Sequence, residues 1–128
     1  MLRDDWRKKA TPYVIIVYGP AGCGGTTTLV WRFSKWLERE MEVKVASVNL
    51  DATVLNLPYK PAFDIRDEIT AIELMRRYNL EPNGAIIKAV GETEKYLPNL
   101  LMLLGKNSCK YVLIDTPGIM EGLPVENR

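Results

Sequence analysis

The chain has 128 residues and 47% apolar content, the size of one domain and enough to bury a core without disulfide staples. Its 17 basic and 16 acidic side chains leave a net charge of +1, which excludes the basic footprint of a nucleic-acid-binding domain and gives no electrostatic sign of a membrane surface. Histidine is absent, so Ser-His-Asp and Cys-His nucleophile systems and histidine-ligated zinc are excluded, and any chemistry must run on carboxylates, backbone amides, cations and a bound metal.

Residues 1–12, MLRDDWRKKATP, mix both signs and lack a signal-peptide core; they are read as an amino-terminal extension ahead of a domain over 13–128. The longest apolar runs, VIIVY and LLMLL, are far too short to span a bilayer, and a cytoplasmic location is expected. Tyr13 to Tyr18 is a β-branched and aromatic run stopped by glycine and proline, the pattern of a strand buried in a parallel sheet. After a glycine-rich loop, Leu29, Val30, Phe33, Trp36 and Leu37 recur at helical spacing and predict a helix from about Thr26 to Met41. Val43 to Val48 reads as a second strand that delivers Asn49, Leu50 and Asp51 at its carboxyl end.

The segment LPYKPAFDIRDE is punctuated by proline and is expected to be irregular, with one short turn over Asp64 to Glu68. Thr70 and Glu73 have capping-box spacing and predict a helix from Ala71 to Tyr78. Pro82-Asn83-Gly84 reads as a turn. Ala85 to Leu104 is helical in composition, with Gly91 and Pro98 as weak points and Gly105 as the stop. Lys110 to Ile114 is the third strand and delivers Asp115. The two cysteines, Cys23 and Cys109, read as free thiols, and Trp6, Trp31 and Trp36 as packing or interface residues rather than a base-stacking platform. This order gives an α/β class, a parallel sheet with flanking helices of which three strands, the amino-terminal half only, are expected, and the glycine-rich loop Gly19 to Thr26 after the first strand makes it similar to a P-loop NTPase sheet.

Two segments could carry chemistry. Gly19 to Thr26 matches the phosphate loop G-x-x-x-x-G-K-[ST] at Gly19, Gly24 and Thr26 and departs from it at Gly25, where the loop has lysine. One reading is an anion nest formed by the amides of Gly22, Cys23, Gly24, Gly25, Thr26 and Thr27 at a helix start, with the Thr26 hydroxyl on magnesium. The other is a plain glycine turn. The lysine of such a loop makes more than one charge-assisted hydrogen bond, so its absence would cost about 10² to 10³ in affinity. Asp115-Thr116-Pro117-Gly118 places a carboxylate where such enzymes hold magnesium and an amide, that of Gly118, where a terminal phosphate is sensed. Alone it is a common turn; with the glycine loop upstream it points to a nucleotide site. Asp51 either assists the metal or the attacking water, or caps its own loop.

With these residues in place, the chain resembles the GPN-loop GTPases over Tyr13 to Glu121. The resemblance rests on Asn49-Leu50-Asp51, Leu57-Pro58-Tyr59 with Pro61, Asp64-Ile65-Arg66-Asp67, and Pro82-Asn83-Gly84-Ala85. It implies GTP or GDP as ligand with Mg2+ and a homodimer or a heterodimer with a related GTPase. Asn83 would donate its amide across that dimer interface to the terminal-phosphate end, and Glu121, just past the D-T-P-G motif, either orders water or is a solvated loop charge. Gly25, Glu81 and Ile119 depart from the family's lysine, glycine and glutamine, and the guanine-reading N-K-x-D motif is not in the chain. The expectation is a GTP-binding protein of weakened binding and hydrolysis, unless Lys60, Arg66 or a partner's Lys88 replaces the missing cation. The alternative is a non-catalytic dimerisation module, and a small-molecule kinase is a third reading, disfavoured by D-T-P-G. An uncovered first strand, Val14 to Val17, is expected at the edge of the sheet.

Overall fold

The computed structural model describes residues 11–20, 25–106 and 108–118; Trp6, Gly22, Cys23, Gly24, Ile119 and Glu121 lie outside these described residues. The elements in chain order are β1 (Tyr13–Val17), α1 (Gly25–Glu40), β2 (Val45–Asn49), β3 (Phe63–Asp64), a 3-10 turn (Ile65–Asp67), α2 (Ala71–Tyr78), α3 (Pro82–Thr93), a second 3-10 turn (Glu94–Tyr96), α4 (Leu97–Lys106) and β4 (Tyr111–Asp115). Among the described residues no helix is long and apolar enough to cross a membrane.

The strands form one parallel sheet in the order β1-β4-β2-β3. This corrects the expectation of a three-stranded amino-terminal half: among the described residues the sheet has four strands, and it spans Tyr13 to Asp115. The added strand is the two-residue Phe63–Asp64, which pairs with Val48 and Asn49. It is too short to show a period of two, and it sits inside the proline-rich segment that reads as irregular.

The central strand β4 is apolar from Val112 to Ile114, ahead of Asp115, because both of its faces are covered. Val112 and Ile114 pack on one side with Ala46, Val48, Ile65, Leu74, Ala85, Ala89 and Leu100, which draws in α2, α3 and α4. Leu113 packs on the other with Val17, Val30, Leu37 and Tyr59, beneath α1. Helix α2 begins as its sequence predicts: the Thr70 hydroxyl accepts from the Glu73 amide, and the Glu73 carboxylate accepts from that of Thr70. It ends at Asn79, whose φ of 52° is the left-handed region that asparagine tolerates.

Pro82-Asn83-Gly84 is the first turn of α3 rather than a free-standing turn. Proline suits that position because the amide it lacks would have no helical partner there. The helical stretch beyond it breaks at Glu94–Tyr96, after Gly91, which stays within α3. Pro98 then falls in the first turn of α4, so the interruption precedes the proline. Strand β1 lies at the edge of the sheet, as expected for an uncovered first strand, but with Val14 52% and Ile16 58% exposed it is not buried as its apolar run predicts.

Candidate nucleotide site

Parallel pairing brings the carboxyl ends of all four strands to one edge. Val17, Asp115, Asn49 and Asp64 stand in one register row across the sheet. The chain leaving β1 is tied to the chain leaving β4, because Thr116 donates both its amide (3.3 Å) and its hydroxyl (2.8 Å) to the Val17 carbonyl. Leu50 donates to the Asp115 carbonyl at 2.8 Å, fixing the exit of β2 to the same place. Open α/β sheets bind ligands in the crevice beyond such an edge.

Asp115 is fully buried in this row. Its Oδ2 accepts from the Tyr59 hydroxyl at 3.1 Å, whereas Oδ1 is buried without a hydrogen-bond partner among the described residues. Burial pushes the Asp115 carboxyl above the usual carboxylate range and the nearby charge of Asp51 adds to the rise, while the hydroxyls of Thr27, Tyr59 and Thr26 oppose it. Thr26 and Thr27, in the first turn of α1, therefore sit close enough to act on this carboxylate without giving Oδ1 a hydrogen bond of proper geometry. Burial, and then the Asp115 charge, raise the Tyr59 phenol, so it remains a donor.

An orphaned carboxylate oxygen beside threonine hydroxyls fits a hard cation. Magnesium takes one or two protein oxygens and completes its shell with phosphate oxygens and water, so it needs no acidic cluster. Among the described residues no group of three or more His, Cys, Asp or Glu side chains is placed to hold a metal ion.

Asp51 is buried beyond β2, where its Oδ1 accepts from both the amide and the hydroxyl of Thr53. The loop-capping reading of this residue is thus realised, and its charge is also felt at Asp115. Asn49 is fully buried at the end of β2. Its Nδ2 donates to the Asp51 carbonyl at 3.1 Å and to Asp64 Oδ1 at 2.9 Å, and its Oδ1 accepts from the Asp51 amide at 3.0 Å. Asp64 also caps the 3-10 turn and forms a two-pronged pair with Arg66, with contacts of 2.7 to 3.1 Å. Burial alone would raise the Asp64 carboxyl, but the Arg66 and Asn49 hydrogen bonds outweigh it and hold the group below its ordinary range.

Arg66 further donates to the carbonyls of Val54 and Leu55 at 3.1 and 3.2 Å. It is committed to holding the loop after β2 and is unsuited to replace a phosphate-loop lysine. Lys88 pairs with Glu92 at 3.3 Å and lies over the Tyr78 ring, whereas Lys60 is exposed. Asn83 is exposed at the second position of α3. A groove of about 650 Å³ runs between Pro82 and Ile86 of that helix and Thr53, Leu55 and Arg66. Gly118 is half-buried past β4.

A strand entering a glycine-rich segment, a helix starting with threonines beside it, and a buried aspartate ending the adjacent strand define the class of P-loop nucleotide-binding α/β domains. Residues 17–126 match a family described as "Conserved hypothetical ATP binding protein". The chain is 43% identical over 112 residues to a GPN-loop GTPase of Pyrococcus abyssi, covering 84% of this chain and 43% of that protein. It is 38% identical over 112 residues to GPN-loop GTPase 1 of Dictyostelium discoideum, covering 86% of this chain and 28% of the relative. It also superposes on the crystal structure of a GTPase in apo form from Pyrococcus abyssi with a TM-score of 0.65 and 41% identity, over 82% of this chain and 42% of that one. The chain belongs to the GPN-loop GTPase family. It spans less than half the length of these relatives.

Proposed function

We propose that this chain binds GTP or GDP with Mg2+ at the carboxyl edge of its sheet, in the cytoplasm, and that its binding and hydrolysis are weakened by the glycine at position 25. The observation that carries the reading is the buried, unpartnered Oδ1 of Asp115 beside the Thr26 and Thr27 hydroxyls. Thr26 and Asp115 would hold the cation, which when bound neutralises charge on the phosphates. The amides of Gly22, Cys23, Gly24, Gly25, Thr26 and Thr27 would cradle the phosphates at the start of α1, and that of Gly118 would face the terminal one. Asp51, with Glu121, would order the attacking water, and Asn83 would serve a second subunit of a homodimer or a related heterodimer. Guanine as the base is taken from the names of the relatives, since no base-reading motif is present in the chain.

Titrating a fluorescent GTP analogue with and without magnesium tests this. Weak, magnesium-dependent binding with little turnover is expected. Absence of binding under both conditions would leave the second reading, a non-catalytic interaction module, for which the exposed apolar face of β1 is the supporting observation.

A further inference from the structure

The structure assigns Tyr59 a positioning role: its hydroxyl holds the Asp115 carboxylate so that Oδ1 is kept free for the magnesium ion of a bound nucleotide. This rests on the proposed nucleotide site and adds to it a residue from outside the glycine loop and the strand end.

The geometry has three parts. The hydroxyl of Tyr59 reaches Asp115 Oδ2 at 3.1 Å across 56 positions of sequence, and both residues are buried. The ring is fixed in the core beneath α1, packed with Val17, Val30, Leu37 and Leu113, so the hydroxyl cannot wander. The backbone that carries it is also fixed. Tyr59 lies between Pro58 and Pro61, which restrict their own φ and the residues before them, and Ala62 donates to the Ser47 carbonyl at 2.7 Å to anchor the segment on β2.

A carboxylate has two equivalent oxygens, and rotation about its terminal bond is soft. With Oδ2 engaged by a donor locked in the core, the rotation stops and the orphaned oxygen has one direction to face. Groups that orient a metal ligand in this way typically change metal affinity by about 10- to 100-fold when removed. Asp115 cannot supply this orientation itself, because Oδ1 has no other partner among the described residues.

The test is the magnesium concentration needed for half-maximal binding of a fluorescent GDP analogue by the unaltered chain and by Tyr59→Phe, which keeps the ring and removes the hydroxyl. The variant is expected to need about 10-fold more magnesium while its magnesium-free nucleotide affinity changes by less than about 2-fold. An unchanged magnesium requirement overturns the assignment, and so does an equal loss of affinity with and without magnesium, which is what a merely structural role would give. If the unaltered chain shows no magnesium dependence at all, the nucleotide-site reading falls and this one with it. Should Tyr59→Phe fail to fold, tyrosine Cζ carbon NMR of the unaltered nucleotide complex decides. One of its six tyrosine resonances should move on adding magnesium and stay still in Asp115→Asn, and six unmoved resonances overturn the assignment.

Discussion

Asn49 donates its side-chain amide to Asp64 at 2.9 Å, joining the carboxyl ends of β2 and β3 beneath the loop that carries Asp51. Asp64 passes the connection to Arg66, and Arg66 to the carbonyls of Val54 and Leu55, so one polar chain spans both strands and the loop between them. The Asp64 carboxyl is held below its ordinary pKa, which sets the sign of its pH dependence. A depressed carboxyl stabilises the fold above its unfolded value of about 3.9, and that contribution is lost as pH falls through the lower folded value. Asp64→Asn should therefore cost about 2 kcal/mol at pH 7, with a smaller gap to the unaltered chain at about pH 3, below the unfolded value. Thermal melts at the two pH values check this; a gap of equal size at both would mean that the charge is not what holds the cluster.

Asp115 has the opposite sign. Burial raises its carboxyl, so the ionised form costs stability once the pH rises above the unfolded value of about 3.9 and through the folded one. Asp115→Asn removes the charge while an amide oxygen can still accept from Tyr59. The nucleotide-free variant is expected to be more stable than the unaltered chain at pH 7 by about 1 kcal/mol and to lose the magnesium dependence of nucleotide binding. A melt at pH 7 and a magnesium titration read the two effects. A destabilised variant would show that the buried charge is balanced by more than the three hydroxyls around it.

Restoring a cation at the start of α1 tests the glycine-rich segment. Gly25 is the first residue of α1 and is exposed. If the amides ahead of it form an anion nest, Gly25→Lys should raise affinity for a fluorescent GTP analogue by about 10². Unchanged affinity would place the segment as a plain glycine turn.

The sequence was legible where one local rule decided the outcome. The helix from Ala71 to Tyr78 follows from the spacing of Thr70 and Glu73, and Asp115 from its place at the end of an apolar strand run. It misled where a rule had two outcomes. Proline followed by asparagine and glycine suits a turn or a helix start, and only the packing of Ala85 and Ala89 against the sheet selects the helix. Phe63–Asp64 was missed because two residues cannot display a strand period, and its identity as a strand comes from pairing with Val48 and Asn49. The Tyr59 contact spans 56 positions, a distance over which no spacing rule operates. The Asn49 to Asp64 contact, by contrast, joins two adjacent motifs and could have been sought once both were placed on neighbouring strand ends.

The free edge of β1 gives the last prediction. Tyr13, Val14 and Ile16 are exposed, no strand among the described residues pairs with the side of β1 away from β4, and β1 carries no charged residue. Unpaired amides and carbonyls beside β-branched side chains form a template on which another edge can add. The chain should therefore self-associate with rising concentration in size-exclusion chromatography. Val14→Lys places a charge on the exposed strand without removing a buried group. It should restore a monomer while changing stability by less than about 0.5 kcal/mol. If the unaltered chain runs as a monomer at high concentration, the edge is covered by some other part of the chain. If Val14→Lys associates as strongly as the unaltered protein, contacts elsewhere hold the copies together.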